Sequence, residues 1–352
     1  MLSSVRLQRF RSYRDESFEF NSGVNIIVGP NASGKTNLLE SIFVASTGGS
    51  YRVKDAELVA FGAPWSRIDA VGTDFTRVVK LLVQDNGTVK REFVINDQKF
   101  SRLSLQKTIP VVLFEPNHLL LLHGKPDLRR DYLDNLLEQT TPGYSKARRD
   151  YRRILMQRNA LLKRGQAAQG QLFAWNIRLC EAGAVIAQHR HTLVAEINNK
   201  IGDLYRNLAP FKAVDLQIMY TSDFDIGQYS SSMLHTLEAR QAVDIERGFT
   251  TVGPHREDIR ITLDNRYATE VASRGETRTV LLGLKIIELQ LLEETRGSKP
   301  ILLLDDVFSE LDGKRRKSLT EVISGYQTFI TTTDADVVVQ HFMNNCHIIP
   351  LG

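Results

Sequence analysis

At 352 residues, 42% of them hydrophobic and 24% charged, the chain has enough apolar material for two compact lobes, and no apolar run approaches the roughly 20 residues of a membrane span. Residues 3–20 are studded with arginines and acids, so no secretory leader is expected, and two distant cysteines, Cys180 and Cys346, argue for a reducing cytosol and against a disulfide framework or a zinc site. A net charge of +4 and a pI near 9.0 suit a nucleic-acid partner without demanding one.

In chain order, apolar alternation predicts strands over 4–9, 17–20 and 24–28, then a glycine-rich turn opening a helix over 37–43. Strands are expected again at 68–71, 77–83 and 89–95, the last two joined by the turn signal Asp85-Asn86-Gly87, which predicts an antiparallel subsheet. A strand at 109–114 stops at Pro116. From there the pattern turns helical, over 128–139, 144–164 and 172–208, with a loop at 165–170 suggesting a short helical hairpin. Strands return at 214–220 and 259–263, and a long amphipathic helix covers 275–294. The strand 301–304 follows, and the tail alternates helix and strand over 313–324, 328–332, 336–342 and 347–350. The expected division is an α/β lobe from 1–115 and 300–352 with a mainly helical lobe, 116–299, inserted between them.

The turn is the phosphate-loop pattern G-x-x-x-x-G-K-[ST] without a mismatch: Gly29, Pro30, Asn31, Ala32, Ser33, Gly34, Lys35 and Thr36. A strand feeding such a turn aims backbone N–H groups and the positive end of a helix dipole at one spot, which favours a polyphosphate. The residues therefore predict a bound nucleoside triphosphate, with Lys35 reaching its β- and γ-phosphates and the Thr36 hydroxyl ligating Mg²⁺. Ile301-Leu302-Leu303-Leu304-Asp305-Asp306 reads as a strand buried on both faces that ends in two carboxylates. Ligands bind at the carboxyl ends of parallel strands, so Asp305 is placed to hold the metal and Asp306 to polarise an attacking water.

Ser273-Arg274-Gly275-Glu276, about 30 residues upstream, could be an ordinary capping box. Its order among the other motifs resembles the signature of ABC-type ATPases, which contacts the γ-phosphate of ATP on the opposite subunit. Ser309-Glu310-Leu311-Asp312 resembles their D-loop. Phe10-Arg11-Ser12-Tyr13, Arg129-Arg130-Asp131-Tyr132-Leu133-Asp134, Gln157-Arg158-Asn159-Ala160-Leu161-Leu162-Lys163 and Thr251-Val252-Gly253-Pro254-His255-Arg256-Glu257-Asp258 extend the match over nearly the whole chain. Together they resemble the RecF family, bacterial recombination-mediator ATPases.

That resemblance implies a P-loop NTPase of ABC-ATPase head type, SMC-like but without a long coiled coil, with a mixed sheet and an inserted helical lobe. It implies ATP and Mg²⁺ as cofactors and weak hydrolysis used as a conformational switch. It implies an ATP-dependent homodimer in which Ser273 and Gly275 reach across to the partner's nucleotide. The implied setting is cytoplasmic and nucleoid-associated, on duplex DNA beside single-stranded gaps, with RecR and RecO helping to load RecA and no membrane involved. Three positions depart from the family's pattern. Glu115 precedes and Asn117 follows Pro116, leaving open which of them serves the metal or water; Thr277 stands where a glutamine is usual; and Asp306 is shorter than the glutamate of transporter-type relatives, which predicts slow hydrolysis.

The helix 144–164 carries Lys146, Arg148, Arg149, Arg152, Arg153, Arg158, Lys163 and Arg164 against one acid, Asp150. Arg148, Arg149, Arg152 and Arg153 are candidate DNA-phosphate contacts, with a solvated face or pairing to acids of the next helix as the other reading. Lys314-Arg315-Arg316-Lys317 forms a second basic cluster, and His255 reads as a turn residue fixing Pro254. The ATPase subunit of a membrane transporter is the alternative function, and a phosphate-loop kinase a third that leaves the helical lobe unexplained.

Overall fold

The computed structural model describes residues 1–165, 169–209, 214–334, 338–340, 342 and 346–352. The amino-terminal part runs β1 (Leu2–Phe10), β2 (Tyr13–Glu19), β3 (Val24–Val28), α1 (Lys35–Thr47), α2 (Asp55–Leu58), β4 (Trp65–Gly72), β5 (Thr76–Val83), β6 (Val89–Ile95), β7 (Gln98–Phe100) and β8 (Val111–Phe114). The helical stretch comprises α3 (Leu120–His123), α4 (Pro126–Thr140), α5 (Tyr144–Leu162), α6 (Gln169–Leu208), β9 (Leu216–Thr221), α7 (Tyr229–Ala239), α8 (Gln241–Arg247), β10 (Asp258–Leu263), β11 (Arg266–Tyr267), α9 (Ala268–Val271) and α10 (Arg274–Arg296). The chain closes with β12 (Ile301–Asp305), α11 (Val307–Glu310), α12 (Gly313–Ile323), β13 (Thr328–Thr332) and β14 (Cys346–Pro350). Of the expected element at 336–342, residues 336, 337 and 341 fall outside the described residues, as do residues 166–168 of the loop 165–170.

The chain divides into two compact units, Met1–His118 with Glu288–Gly352, and Leu119–Ile287. The second boundary falls inside α10 and not at 299/300, because the last turns of that helix bond to the first unit. Arg296 donates to the carbonyls of Leu105 and Thr108 at 2.8 Å, and Glu293 accepts from the Tyr326 hydroxyl at 2.6 Å.

In the first unit, strands β2-β1-β4-β5-β6-β7 pair antiparallel in that order, the turn at 84–88 closing β5 on β6 with Gly87 at positive φ. Strand β5 alternates buried and half-buried side chains, so Val79 and Leu81 face inward with Val5, Leu7, Ile68 and Phe93 of the same sheet. This row packs on Leu38, Leu39 and Ile42 of α1. Arg77 shares the inward face, where burial pushes its guanidinium down to about 10. It is held by donating to the carbonyls of Ala45 and Ser46, the negative end of α1. Behind α1 lies a sheet ordered β14-β3-β13-β12-β8, every pair parallel. Its strand β12 is buried along Ile301 to Leu304, as a parallel strand between two neighbours must be.

The second unit is built on α4, α5 and the 40-residue α6, with the antiparallel sheet β11-β10-β9 beside them. Two polar knots sit inside it. Arg158, fully buried, donates to Asp244 at 2.8 Å, Thr250 at 2.7 Å and Asn176 at 2.7 Å. Breaking such a buried pair costs roughly 3–5 kcal/mol. Arg190 donates to both oxygens of Asp134 and to the Pro254 carbonyl. Burial pushes Asp134 up, but the hydrogen bond and charge of Arg190, with Arg148, outweigh it and hold the carboxyl below its usual range. Among the described residues no helix is long and apolar enough to cross a membrane.

Candidate functional site

The phosphate loop hangs between β3 and α1, and its two glycines have no room for a side chain. A Cβ on Gly29 would lie 2.4 Å from the Leu351 carbonyl and 2.6 Å from the Ser33 hydroxyl. Gly34, at φ 101, would meet the Tyr13 hydroxyl at 2.8 Å, and that hydroxyl donates to the Gly34 carbonyl at 3.0 Å. The turn Phe10-Arg11-Ser12-Tyr13 therefore braces the loop: Ser12 accepts from Asn37, and Arg11 makes a bidentate pair with the buried Glu40 of α1. Ala32 also takes positive φ, so the loop curls tightly around its own N–H groups.

No side chain caps α1, and no acid sits in its first turn. Lys35 Nζ donates to the carbonyls of Gly29 and Pro30, both at 2.7 Å, and the buried Ser33 hydroxyl has no hydrogen-bond partner among the described residues. An uncapped helix start, a long-armed cation over it and an orphaned hydroxyl within the loop fit an anionic ligand with several acceptor oxygens.

Asp305 ends β12, which is separated from β3 in the sheet by β13 alone. Its Oδ1 accepts from the Thr36 hydroxyl at 3.1 Å and from the Thr331 hydroxyl at 2.7 Å. Thr331 in turn accepts from the Asp306 N–H at 2.9 Å, and Asp306 sits at φ 54, which turns the chain sharply after the strand. One carboxylate oxygen and one hydroxyl side by side fit a hard cation that also takes phosphate and water oxygens. Among the described residues no cluster of three His, Cys, Asp or Glu forms a self-sufficient metal cage. Thr331 belongs to no motif of the sequence; its only signal there is a polar pair, Thr331-Thr332, closing an apolar strand. Beyond β8, the Glu115 N–H donates to His118 Nδ1 at 3.2 Å, and Asn117 lies exposed in the short turn after Pro116.

In the second unit, Ser273 and Glu276 form a complete capping box at the start of α10. The Ser273 N–H and hydroxyl both donate to Glu276 Oε2, at 2.9 and 2.7 Å, and Ser273 Oγ accepts from the Glu276 N–H at 3.2 Å. Ser273 is exposed there with Gly275 in the first turn, and Thr277 bonds His123 within the same unit. Asp312 caps α12 by accepting from the Arg315 N–H; the side chains of Ser309 and Glu310 lie outside the described residues. In the basic cluster of α12, Arg316 donates to the Phe308 carbonyl and Arg315 pairs with Asp312.

In the basic helix, Arg148 is buried, with Asp131, Asp134 and Glu138 within 3.0 Å of its guanidinium, so it stitches α5 to α4. Arg158 is spent in the buried knot. Arg149, Arg152 and Arg153 stay on the surface, bonded to Ser145, Asp131 and Asp150.

A family model described as an AAA domain matches residues 4–124. The DNA replication and repair protein RecF of Heliobacterium modesticaldum is 36% identical over 343 residues, covering 94% of this chain and 92% of that protein. The protein of the same name from Moorella thermoacetica is 33% identical, covering 100% and 95%. The solved structure of the recombination mediator protein RecF with ATP, from the RecFOR pathway, superposes with a TM-score of 0.84 at 30% identity, over 95% of this chain and 92% of that one. The SMC head bound to the winged-helix domain of ScpA, 14% identical with a TM-score of 0.51 over 97% and 92% of the chains, shares the fold alone.

Proposed function

This chain belongs to the RecF family of DNA replication and repair proteins, and on that footing we propose that it is an ATP-switched DNA-binding protein of recombinational repair. ATP brings two copies together, the pair holds duplex DNA beside single-stranded gaps, and with RecR and RecO it helps load RecA. The observation that carries the reading is the grouping of Lys35, Thr36 and Asp305 at the strand ends of one parallel sheet. Family membership leaves the transporter alternative without support.

Lys35 and the N–H groups of the loop from Gly29 to Thr36 bind the phosphates. Thr36 and Asp305 would hold Mg²⁺, which supplies charge neutralisation at the phosphate oxygens. Asp306, beside them, accepts the proton of the attacking water. Ser273 and Gly275 of a second copy complete the site, their helix start facing the γ-phosphate. The short arm of Asp306 makes hydrolysis slow, a timer that returns the pair to single chains; turnover of tens per second, with or without DNA, would refute this.

The test is light scattering with ATP and with ADP, followed by a gapped duplex. ATP alone should double the mass and promote DNA binding. Lys35→Ala should weaken ATP binding roughly ten- to a hundredfold, the loss expected for charge-assisted hydrogen bonds. A parent chain that binds ATP and stays monomeric overturns the switch.

A further inference from the structure

Strand β13 lies between β3, which feeds the phosphate loop, and β12, which ends in Asp305. Its register sets Thr331 beside Ile27 of β3 on one side and Asp305 on the other. The Thr332 carbonyl accepts from the Gly29 N–H at 3.4 Å, so the end of this one strand touches both halves of the site. All five residues of β13 are buried. A strand enclosed on both sides is apolar by default, and a hydroxyl inside it is costly unless it is bonded.

Thr331 is bonded both as donor and as acceptor. Its proton goes to Asp305 Oδ1 at 2.7 Å, and its oxygen accepts the Asp306 N–H at 2.9 Å. The second bond pins a backbone at φ 54, where residues other than glycine seldom sit. The first pins a carboxylate whose other donor, Thr36, is itself a proposed cation ligand. Thr331 is the donor that no ligand reaches: it is 1% exposed, whereas Asp305 is half-buried and Asp306 exposed. One buried hydroxyl thus holds two accessible carboxylates, the first by its side chain and the second by its backbone.

We propose that Thr331 is a positioning residue of the nucleotide site, aiming the Asp305 carboxylate at the cation and the Asp306 carboxylate at the attacking water. This role rests on the ATP reading above, in which Asp305 meets Mg²⁺ and Asp306 meets the water.

The experiment compares the full-length parent with Thr331→Val, which removes the hydroxyl and keeps the branched shape, and Thr331→Ser, which keeps the hydroxyl. Each is titrated with a non-hydrolysable ATP analogue and with ADP, in EDTA and across a Mg²⁺ series, and ATP turnover is measured at saturating Mg²⁺. Melting curves without nucleotide establish that each variant is folded; Thr331→Ala replaces Thr331→Val if the latter does not melt cooperatively. In EDTA the three proteins should bind the analogue alike, because Lys35 and the loop hold the phosphates. Half-saturation of the Mg²⁺ effect should require about tenfold more Mg²⁺ in Thr331→Val, as for one lost hydrogen bond to a charged group. Its saturated turnover should fall roughly ten- to a hundredfold, as for a misaimed catalytic group. Thr331→Ser should restore both to within about threefold of the parent, since it regains the bond to the charged carboxylate. A folded Thr331→Val with the parent's Mg²⁺ requirement or the parent's saturated turnover overturns the proposal. So does a Thr331→Ser as impaired as Thr331→Val, which assigns the effect to packing of the methyl group, and so does an equal loss in EDTA, which places the damage in the loop. A parent that binds neither the analogue nor ADP overturns the ATP reading itself, a separate outcome.

Discussion

His255 shows how one side chain can record its surroundings. Its Nε2 lies 3.1 Å from the Thr250 carbonyl, which only accepts, so Nε2 carries the proton and Nδ1 accepts from the Tyr151 hydroxyl at 2.6 Å. Both ring nitrogens are satisfied in the neutral form, and burial, with Arg256 and Arg130 nearby, pushes the ring down from 6.5 to about 4. The folded value lies below the unfolded one, so between about pH 4 and 6.5 the unfolded chain binds a proton that the folded chain refuses. Stability therefore falls as pH drops through that window and is indifferent to this group above it; the gap corresponds to about 3 kcal/mol. His255→Gln should be less stable at pH 7.5 and lose less than the parent between pH 7 and 4.5. Urea unfolding at these three pH values checks it, and an unchanged acid-side loss would remove His255 as the cause.

At the scale of elements, α5 shows what a basic stripe can and cannot mean. Counting charges along 144–164 leaves a binding face and pairing with neighbouring acids both open; Arg148 and Arg158 point inward and pair with acids of α4 and α8. Of the four candidate arginines, Arg149, Arg152 and Arg153 stay exposed, beside Lys146, Lys163 and Arg164. Replacing those three candidates with alanine should weaken binding to gapped duplex and lower the slope of log affinity against log salt by about one for each phosphate left without its arginine. A triple variant with the parent's slope would make the stripe a solvated face. The same contrast separates what is legible in the sequence from what is not. The phosphate loop, β12 and the capping box of α10 are local patterns whose residues meet within a turn or a strand, so they are legible from spacing alone. Thr331 joins Asp305 only because β13 inserts between β3 and β12, a pairing of distant segments that no local pattern announces. Helices α7 and α8 lie in a polar stretch of weak periodicity that gives no signal, and their Asp244 is the partner that draws Arg158 inside.

For the whole molecule, the decisive question is whether two copies share one nucleotide. Ser273 stands exposed at a helix start whose capping box is satisfied by Glu276 within the chain. A cation there would repel a facing lysine and crowd a facing phosphate. Ser273→Arg should therefore keep the parent's ATP affinity and lose ATP-dependent doubling of mass; a dimer as stable as the parent's in light scattering would sink the shared site. The phosphate loop adds a consequence of its own. Lys35 is engaged with Gly29 and Pro30, and Thr36 with Asp305. A ligand must therefore trade places with partners already present, and the two trades differ in kind. An anion alone can draw Lys35 from its carbonyls, but only a cation can take the Thr36 oxygen while compensating Asp305 for the proton it gives up. Under the proposed function such a loop would read two inputs in conjunction, admitting the triphosphate fully when its metal comes with it and discounting the simple anions that crowd any cell.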